Sequence, residues 1–399
     1  MPALASDSFV DSIGINTHLT YTNTPYASAW PQVLSALEAL GVRHVRDGYY
    51  NWPAGEPIYA KHRELAANGI GCNFVVAIDS EADTAQVKNF ATLAGDVESL
   101  EGPNECDAEG GRNCGGEDWL QNLQNFMPTV RAAGKKIGVP VYGPSFTKAS
   151  SYPAIGNIAK QMTENNLHVY FGGRNPESRG WGSIDANGNG YGSFAWWLDN
   201  AEIDGPGLKS VVTESGYITN STIAPYTLPQ DIEAMYVPRT LLTAFQSGLK
   251  RTYLYELLDE VSSPGYGLMT NDLKPKSAFT ALANLIALTS DPGASFTPGS
   301  LEYQIDGGDK HLQQVLLQKQ DGSFLLILWL GESGYDPATN TPTPVTPESI
   351  TLETAGGEYI QKQFQFDENG RVTATSIPPT QGQVLSINDS ISVIEISAQ

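Results

Sequence analysis

The chain is short of several things, and each shortage excludes a class of function. No apolar run of about eighteen residues, the length a membrane-spanning helix needs, occurs anywhere in the 399 residues. Basic residues are scarce: 23 Lys and Arg stand against 44 Asp and Glu, a formal charge of −21. Such a field repels phosphate backbones and anionic membranes, so neither nucleic acid nor membrane insertion is expected, and neutral molecules are the easier partners. There is no Gly-x-Ser-x-Gly elbow, no Gly-x-x-x-x-Gly-Lys phosphate loop and no His-Glu-x-x-His metal motif. There are three cysteines. Cys106 and Cys114 lie in the Gly-rich stretch ECDAEGGRNCGG and are expected to form a disulfide that pins it, with Cys72 a buried free thiol. A zinc site lacks a fourth ligand.

The opening MPALASDSFV is too short and polar for an export signal, and reads as a start from which one has been removed. A secreted or periplasmic protein is therefore expected, and a monomer. Two Asn-x-Ser/Thr sequons, at Asn220 and Asn388, are too common by chance to indicate a host.

What is present is apolar material, 40% of the chain with 17% charged, enough for a large core. Through about residue 290, short apolar runs alternate with amphipathic stretches, as βα units around a parallel sheet do. The runs are IGINTH (13–18), RHVRDG (43–48), NFVVAI (73–78), SLEGPNE (99–105), VPVYGPS (139–145), LHVYFGG (167–173), SVVTESGY (210–217) and TYLYELL (252–258). Eight such runs predict a closed (β/α)8 barrel over 8–290. Between them WPQVLSALEAL reads as a helix capped by Gly41, and the segments 118–133, 154–165 and 230–247 read likewise. After DPGASFTPGS (291–300) the texture becomes alternating: HLQQVLLQ, FLLILWLG, SITLET, QKQFQF and SVIEIS, separated by Asp-Gly, Pro and Asn-Gly turns. Residues 291–399 are expected to form an antiparallel β-sandwich, with YDPATNTPTPVTPES (335–349) an exposed loop within it.

In a parallel barrel, functional side chains gather where the strands end. Glu105 closes the fourth predicted strand and Glu214 lies in the seventh. A carboxylate after a buried strand is unfavourable unless it faces a polar cavity, and two of them suit glycoside hydrolysis, where one carboxyl protonates the leaving oxygen and the other attacks the anomeric carbon.

With Asn104-Glu105 at one strand end and TESGY (213–217) at another, the chain resembles clan A of the glycoside hydrolases. Within that clan HVRDG, LEGPNE, RTYLYELLDE, YGLMTNDLKPKSAF and the trailing sandwich are most similar to the branch around family 39, with family 5 next. The resemblance implies Glu105 as acid/base and Glu214 as nucleophile of a retaining hydrolase of β-type O-glycosidic bonds, needing no metal or organic cofactor. It also implies Arg46 bonded to the nucleophile, Asn104 on the sugar 2-hydroxyl, and His168 and Tyr170 lining the site and orienting the nucleophile. His18 is a candidate of the same kind. Glu105 would have to be protonated and Glu214 ionised, a split that burial and Arg46 are expected to produce.

Where many clan members carry a Trp at the eighth strand end, this chain has TYLYELLDE, so Tyr255 is the expected aromatic platform and Glu256 a hydroxyl partner, although which side chain points inward is open. Trp181 is the expected subsite residue of the Gly-rich segment after strand six; Trp196 and Trp197 either join it or pack a helix. The expected substrate is an oligo- or polysaccharide. Transglycosylation by the same carboxylates, or a non-catalytic sugar-binding barrel, are the alternatives.

Overall fold

The computed structural model describes residues 1–80, 82–219, 226–260 and 265–398; the Asn220 sequon lies outside them. The eight expected strands are all present: β1 Ile13–Asn16, β2 His44–Gly48, β3 Gly71–Val75, β4 Val97–Glu101, β5 Val141–Tyr142, β6 Asn165–Val169, β7 Ser210–Ser215 and β8 Thr252–Leu254. They form one parallel sheet in the order β5-β4-β3-β2-β1-β8-β7-β6. A parallel bridge between Tyr142 and Glu164 joins its two edges and closes the barrel. Closure leaves no barrel edge for another chain to pair with.

Several strands stop earlier than their apolar runs suggest. β4 ends at Glu101, not Glu105, because the chain turns at Gly102-Pro103 and Pro has no N–H to continue a ladder. The helices Trp30–Leu40, Trp119–Ile137 and Gln230–Gln246 are as expected, and Gly41 caps the first at φ 79°. The helix expected over 154–165 is not there. A short helix, Ser151–Ile155, ends where Gly156 takes φ 69°, and a single 3-10 turn, Ala159–Gln161, follows. Among the described residues no helix is long and apolar enough to cross a membrane.

The barrel floor is packed. Tyr253 of β8 points down into it, and a Cβ on Gly14 of β1 would stand 2.3 Å from the Tyr253 ring, so the close approach depends on glycine at that position. Tyr253 Oη donates to Glu98 (3.0 Å), which also meets Arg251 (3.1 Å) and His44 (2.7 Å). This polar plug closes the end opposite the C-terminal ends of the strands.

Beyond the barrel lie β9 Tyr303–Gly307, β10 Leu312–Gln318, β11 Phe324–Leu330, β12 Glu348–Thr354, β13 Glu358–Phe366, β14 Val372–Thr380, β15 Gly382–Ile387 and β16 Ser392–Ala398. They build the expected antiparallel sandwich: a sheet in the order β10-β11-β16-β13-β14 faces a second one in the order β9-β12-β15. The alternation along β11 shows how it is shared. Leu325, Ile327 and Trp329 pack with the barrel, while Phe324, Leu326, Leu328 and Leu330 pack with the second sheet. Leu4–Ala5, ahead of the barrel, pairs in parallel with Leu317–Gln318 of β10 and so belongs to the larger sheet.

The barrel and sandwich are also joined by a buried polar knot. Arg239, fully buried, binds Glu177 (2.5 Å) and donates to the carbonyls of Glu332 (2.9 Å) and Asp389 (3.1 Å), and Glu177 accepts from Trp329 Nε1 (2.7 Å). Each polar atom taken from water there meets a partner, which burial of charge requires.

Candidate active site

A layer of polar side chains crosses the barrel just below its C-terminal face. Arg46 (β2) and Glu101 (β4) lie at its centre, with Nε to Oε2 at 2.9 Å and Nη2 to Oε1 at 2.8 Å. Glu101 also accepts from Asn73 of β3 (2.5 Å) and Asn166 of β6 (3.0 Å). The remaining Arg46 hydrogens go to Asn16 of β1 (2.8 Å), to Asn104 (2.7 Å) and to Glu214 Oε1 (2.6 Å), so all five guanidinium donors are spent. Glu101, Asn73, Asn166 and Thr213 were not expected from sequence. The signal was polar residues within otherwise apolar strands, which resemble ordinary surface alternation until the strands are closed into a ring.

On this layer stand the two expected carboxylates. Glu214 leaves β7 with Arg46 on one oxygen and the Tyr170 hydroxyl on the other (2.9 Å). Glu105 follows the Gly-Pro-Asn turn at φ 45°, a left-handed conformation that disfavours a side chain with Cβ and that tends to be retained where function requires it. Its backbone N–H donates to Ser145 Oγ (3.2 Å). The expected disulfide from Cys106 to Cys114 ties the loop immediately after it, and Cys72 is a buried free thiol. Oxygens of Glu105 and Glu214 and a ring nitrogen of His168 all lie within 4.8 Å of one another.

His168 bridges the carboxylates, with Nδ1 at 2.7 Å from Glu105 Oε1 and 3.5 Å from Glu214 Oε2. Hydrogen-bond polarity fixes where its protons go. Both amide hydrogens of Asn166 are used, on Glu101 and on the Gly143 carbonyl (3.1 Å), so Asn166 Oδ1 accepts from Thr213 Oγ1 (2.7 Å). Thr213 has no second hydrogen and therefore accepts from His168 Nε2 (3.2 Å). One further proton lies between Nδ1 and Glu105. Burial raises the Glu105 pKa, but the His168 hydrogen bond and the charges of His168 and Arg46 outweigh it and hold the carboxyl below its ordinary range. For His168, burial acts downward and is outweighed by the Glu214 charge, the bond to Glu105 and the Glu105 charge, so its pKa is raised. Both directions favour the proton on His168. This corrects the expectation that burial keeps Glu105 protonated: a cation in contact with the carboxylate wins. Because both ring nitrogens are committed to hydrogen bonds, the trio offers no free nitrogen lone pair to a metal.

The carboxylates open into a cavity of about 360 Å³ whose wall includes Asn16, His18, Tyr21, Asp47, Asn104 and Tyr255. Of the two orientations left open at the eighth strand end, Tyr255 faces the cavity, while Glu256 is fully buried behind it against His18 (3.2 Å). His18 is stacked on Tyr21 and meets Tyr255 edge-on. Trp181 is elsewhere, against Tyr191 and beneath the Arg174 guanidinium at 4.5 Å, and does not line this cavity. Trp196 and Trp197 are buried in the helix Phe194–Asp204, where they pack against Tyr191 and Tyr152.

With Glu214 in its seventh strand and Glu105 on the loop after its fourth, the chain has the fold of the clan A glycoside hydrolases. No protein-family model and no curated protein sequence matches it. Among solved structures it is similar to the GH39 enzyme from Xanthomonas axonopodis pv. citri, at 14% identity and TM-score 0.62 over 100% of this chain and 96% of that one. It is likewise similar to a glucosidase from Croceicoccus marinus, at 12% identity and TM-score 0.63 over 100% and 98%. At these identities the likeness is one of fold, with barrel and sandwich both included.

Proposed function

We propose that the protein is a retaining glycoside hydrolase that cleaves β-type O-glycosidic bonds of an oligo- or polysaccharide. The observation that carries this reading is the approach of Glu105 and Glu214 oxygens to within 4.8 Å across one cavity. Retaining enzymes hold their two carboxyls roughly 5–5.5 Å apart so that one can attack the sugar directly, whereas inverting enzymes leave roughly 6.5–9.5 Å for a water.

Glu214, oriented by Arg46 and Tyr170, attacks the anomeric carbon as the bond to the leaving oxygen breaks. That oxygen takes a proton from Glu105, which draws it in turn from His168 Nδ1 along their 2.7 Å bond. In the glycosyl-enzyme the Glu214 charge is gone and His168 has lost one of its two anionic neighbours. Water, deprotonated by Glu105, then releases the sugar with its configuration kept. A sugar hydroxyl in place of that water would make the same site a transglycosylase. Asn104 accepts from Arg46 at Oδ1 and keeps its amide hydrogens for a sugar hydroxyl. The disulfide beside the acid/base suits an oxidising compartment, secreted or periplasmic.

The test is a screen of wild type and Glu214→Ala on neutral and acidic polysaccharides, reading reducing ends and product anomers. Products of retained anomer from wild type that vanish in the variant are expected. Inverted products would sink the mechanism, and equal cleavage by the variant would sink the nucleophile assignment.

A further inference from the structure

The wall of the catalytic cavity carries information about charge. Among the described residues its cationic members are Arg46 and His18. Arg46 has no donor left, since its hydrogens go to Glu101, Asn16, Asn104 and Glu214. His18 is already surrounded by acid: Glu256 lies 3.2 Å from its Nε2. Burial alone would lower its pKa, yet the bond to Glu256 and the charges of Glu260, Glu256 and Asp47 raise it, so its positive charge is answered several times over within the protein. The wall also holds a third carboxylate besides the catalytic pair, Asp47, fixed by Thr17 Oγ1 (2.8 Å) and the backbone N–H groups of Leu19 (2.9 Å) and Gly48 (2.7 Å).

Among the described residues no lysine lines the cavity, and three on elements that follow the barrel strands are tied down, Lys61 to the Tyr26 carbonyl (2.7 Å), Lys148 to the Asp107 carbonyl (2.8 Å) and Lys276 to Asp259 (2.9 Å). None of the residues outside those described is Lys, Arg or His. A carboxylate entering with a substrate would therefore lose water, meet no uncommitted cation in this wall, and face Asp47 beside the Glu105 and Glu214 carboxylates that His168 and Arg46 already engage.

We propose that the sugar taken at this site is uncharged, a neutral pyranose read through its hydroxyls, and that uronic acids are excluded from it. The proposal rests on the glycosidase reading of the same cavity but concerns recognition and not turnover. Hydroxyl readers are in place. His18 has its Nε2 turned to Glu256, which leaves Nδ1 for a hydroxyl, and Asp47, Asn104 and Tyr255 supply acceptor, donor and platform around it.

Calorimetric titration of the wild-type protein with gluco-, galacto- and manno-configured sugar lactams tests it, each lactam paired with the analogue that carries a carboxylate in place of the C6 hydroxymethyl. At least one neutral lactam is expected to bind, with its uronate partner about 100-fold weaker or worse, as for a buried charge without a partner. A uronate that binds as tightly as its neutral partner overturns the proposal, and so does a failure of every lactam to bind. Assaying the matching neutral nitrophenyl glycosides separates the two readings: lactam binding with the neutral preference but no turnover removes the hydrolase and leaves the recognition intact.

Discussion

At the scale of single residues, the hydrogen bond between His168 and Glu105 sets the proton chemistry. The pair shares one proton, and with the His168 pKa raised, that proton is kept at low pH and lost as pH rises through the raised value. The alkaline limb of activity in wild type should therefore report His168. In His168→Gln the cation is gone and the limb passes to Glu105 itself, a carboxyl with a lower intrinsic range, so it should move to lower pH while kcat falls about tenfold to a hundredfold. Profiles of kcat/KM against pH on any cleaved aryl glycoside check this; an unmoved limb would show that His168 does not hold the proton. Of these residues, the carboxylates were singled out in sequence by their place after apolar runs, and Arg46, His168 and Tyr170 by the resemblance to clan A; the structure brings the five side chains together. Glu101 was not singled out, although it lies in the same run as Glu105. Its importance comes from Arg46, Asn73 and Asn166 on three other strands, and nothing in its own neighbourhood records them.

At the scale of elements, the loop after β4 carries more than its length suggests. Glu105 sits at positive φ one residue before a disulfide whose other half is Cys114. Cross-linking so short a loop stabilises by about 2–3 kcal/mol through the unfolded chain. Replacing both cysteines by serine should cost about that much in denaturant unfolding and should lower kcat about tenfold or more, since small misplacements of a reacting group are costly. An intact kcat with lowered stability would separate the disulfide from catalysis. Elements were legible where burial made them apolar. All eight barrel strands announced themselves, and so did β10, β11, β12, β13 and β16 of the sandwich. The edge strand β14 did not, because its residues are largely exposed and it contains Pro378 and Pro379, which an edge tolerates and a central strand would not. The missing helix at 154–165 failed for a local reason, the glycine at 156, which apolar spacing outweighed on paper.

For the whole molecule, two buried acids outside the site set the response to pH. Burial pushes Asp204 up to about 7 from 3.8, and Glu233 up to about 8 from 4.5. Each stays protonated in the folded protein while the unfolded chain ionises, so stability falls as pH rises from the unfolded values through about 7 and about 8. On the acid side Asp11, lowered to about 2 by its hydrogen bond from His44, contributes stability present above 3.8 and lost as pH falls toward 2. Stability should therefore peak near pH 4–5 and decline steadily toward pH 8. Glu233→Gln should raise the melting temperature at pH 8 and leave it nearly unchanged at pH 4.5. A curve that is flat from pH 5 to 8 in wild type would contradict this.

The pairing of Leu4–Ala5 with Leu317–Gln318 has a consequence for how the protein is made. A ribosome delivers Leu4–Ala5 long before their partner strand, and the whole barrel is synthesised in between. The barrel can close on its own hydrogen bonds, but its leading segment stays unpaired in the growing chain until β10 emerges. A strand translated after the barrel thus secures a segment translated before it.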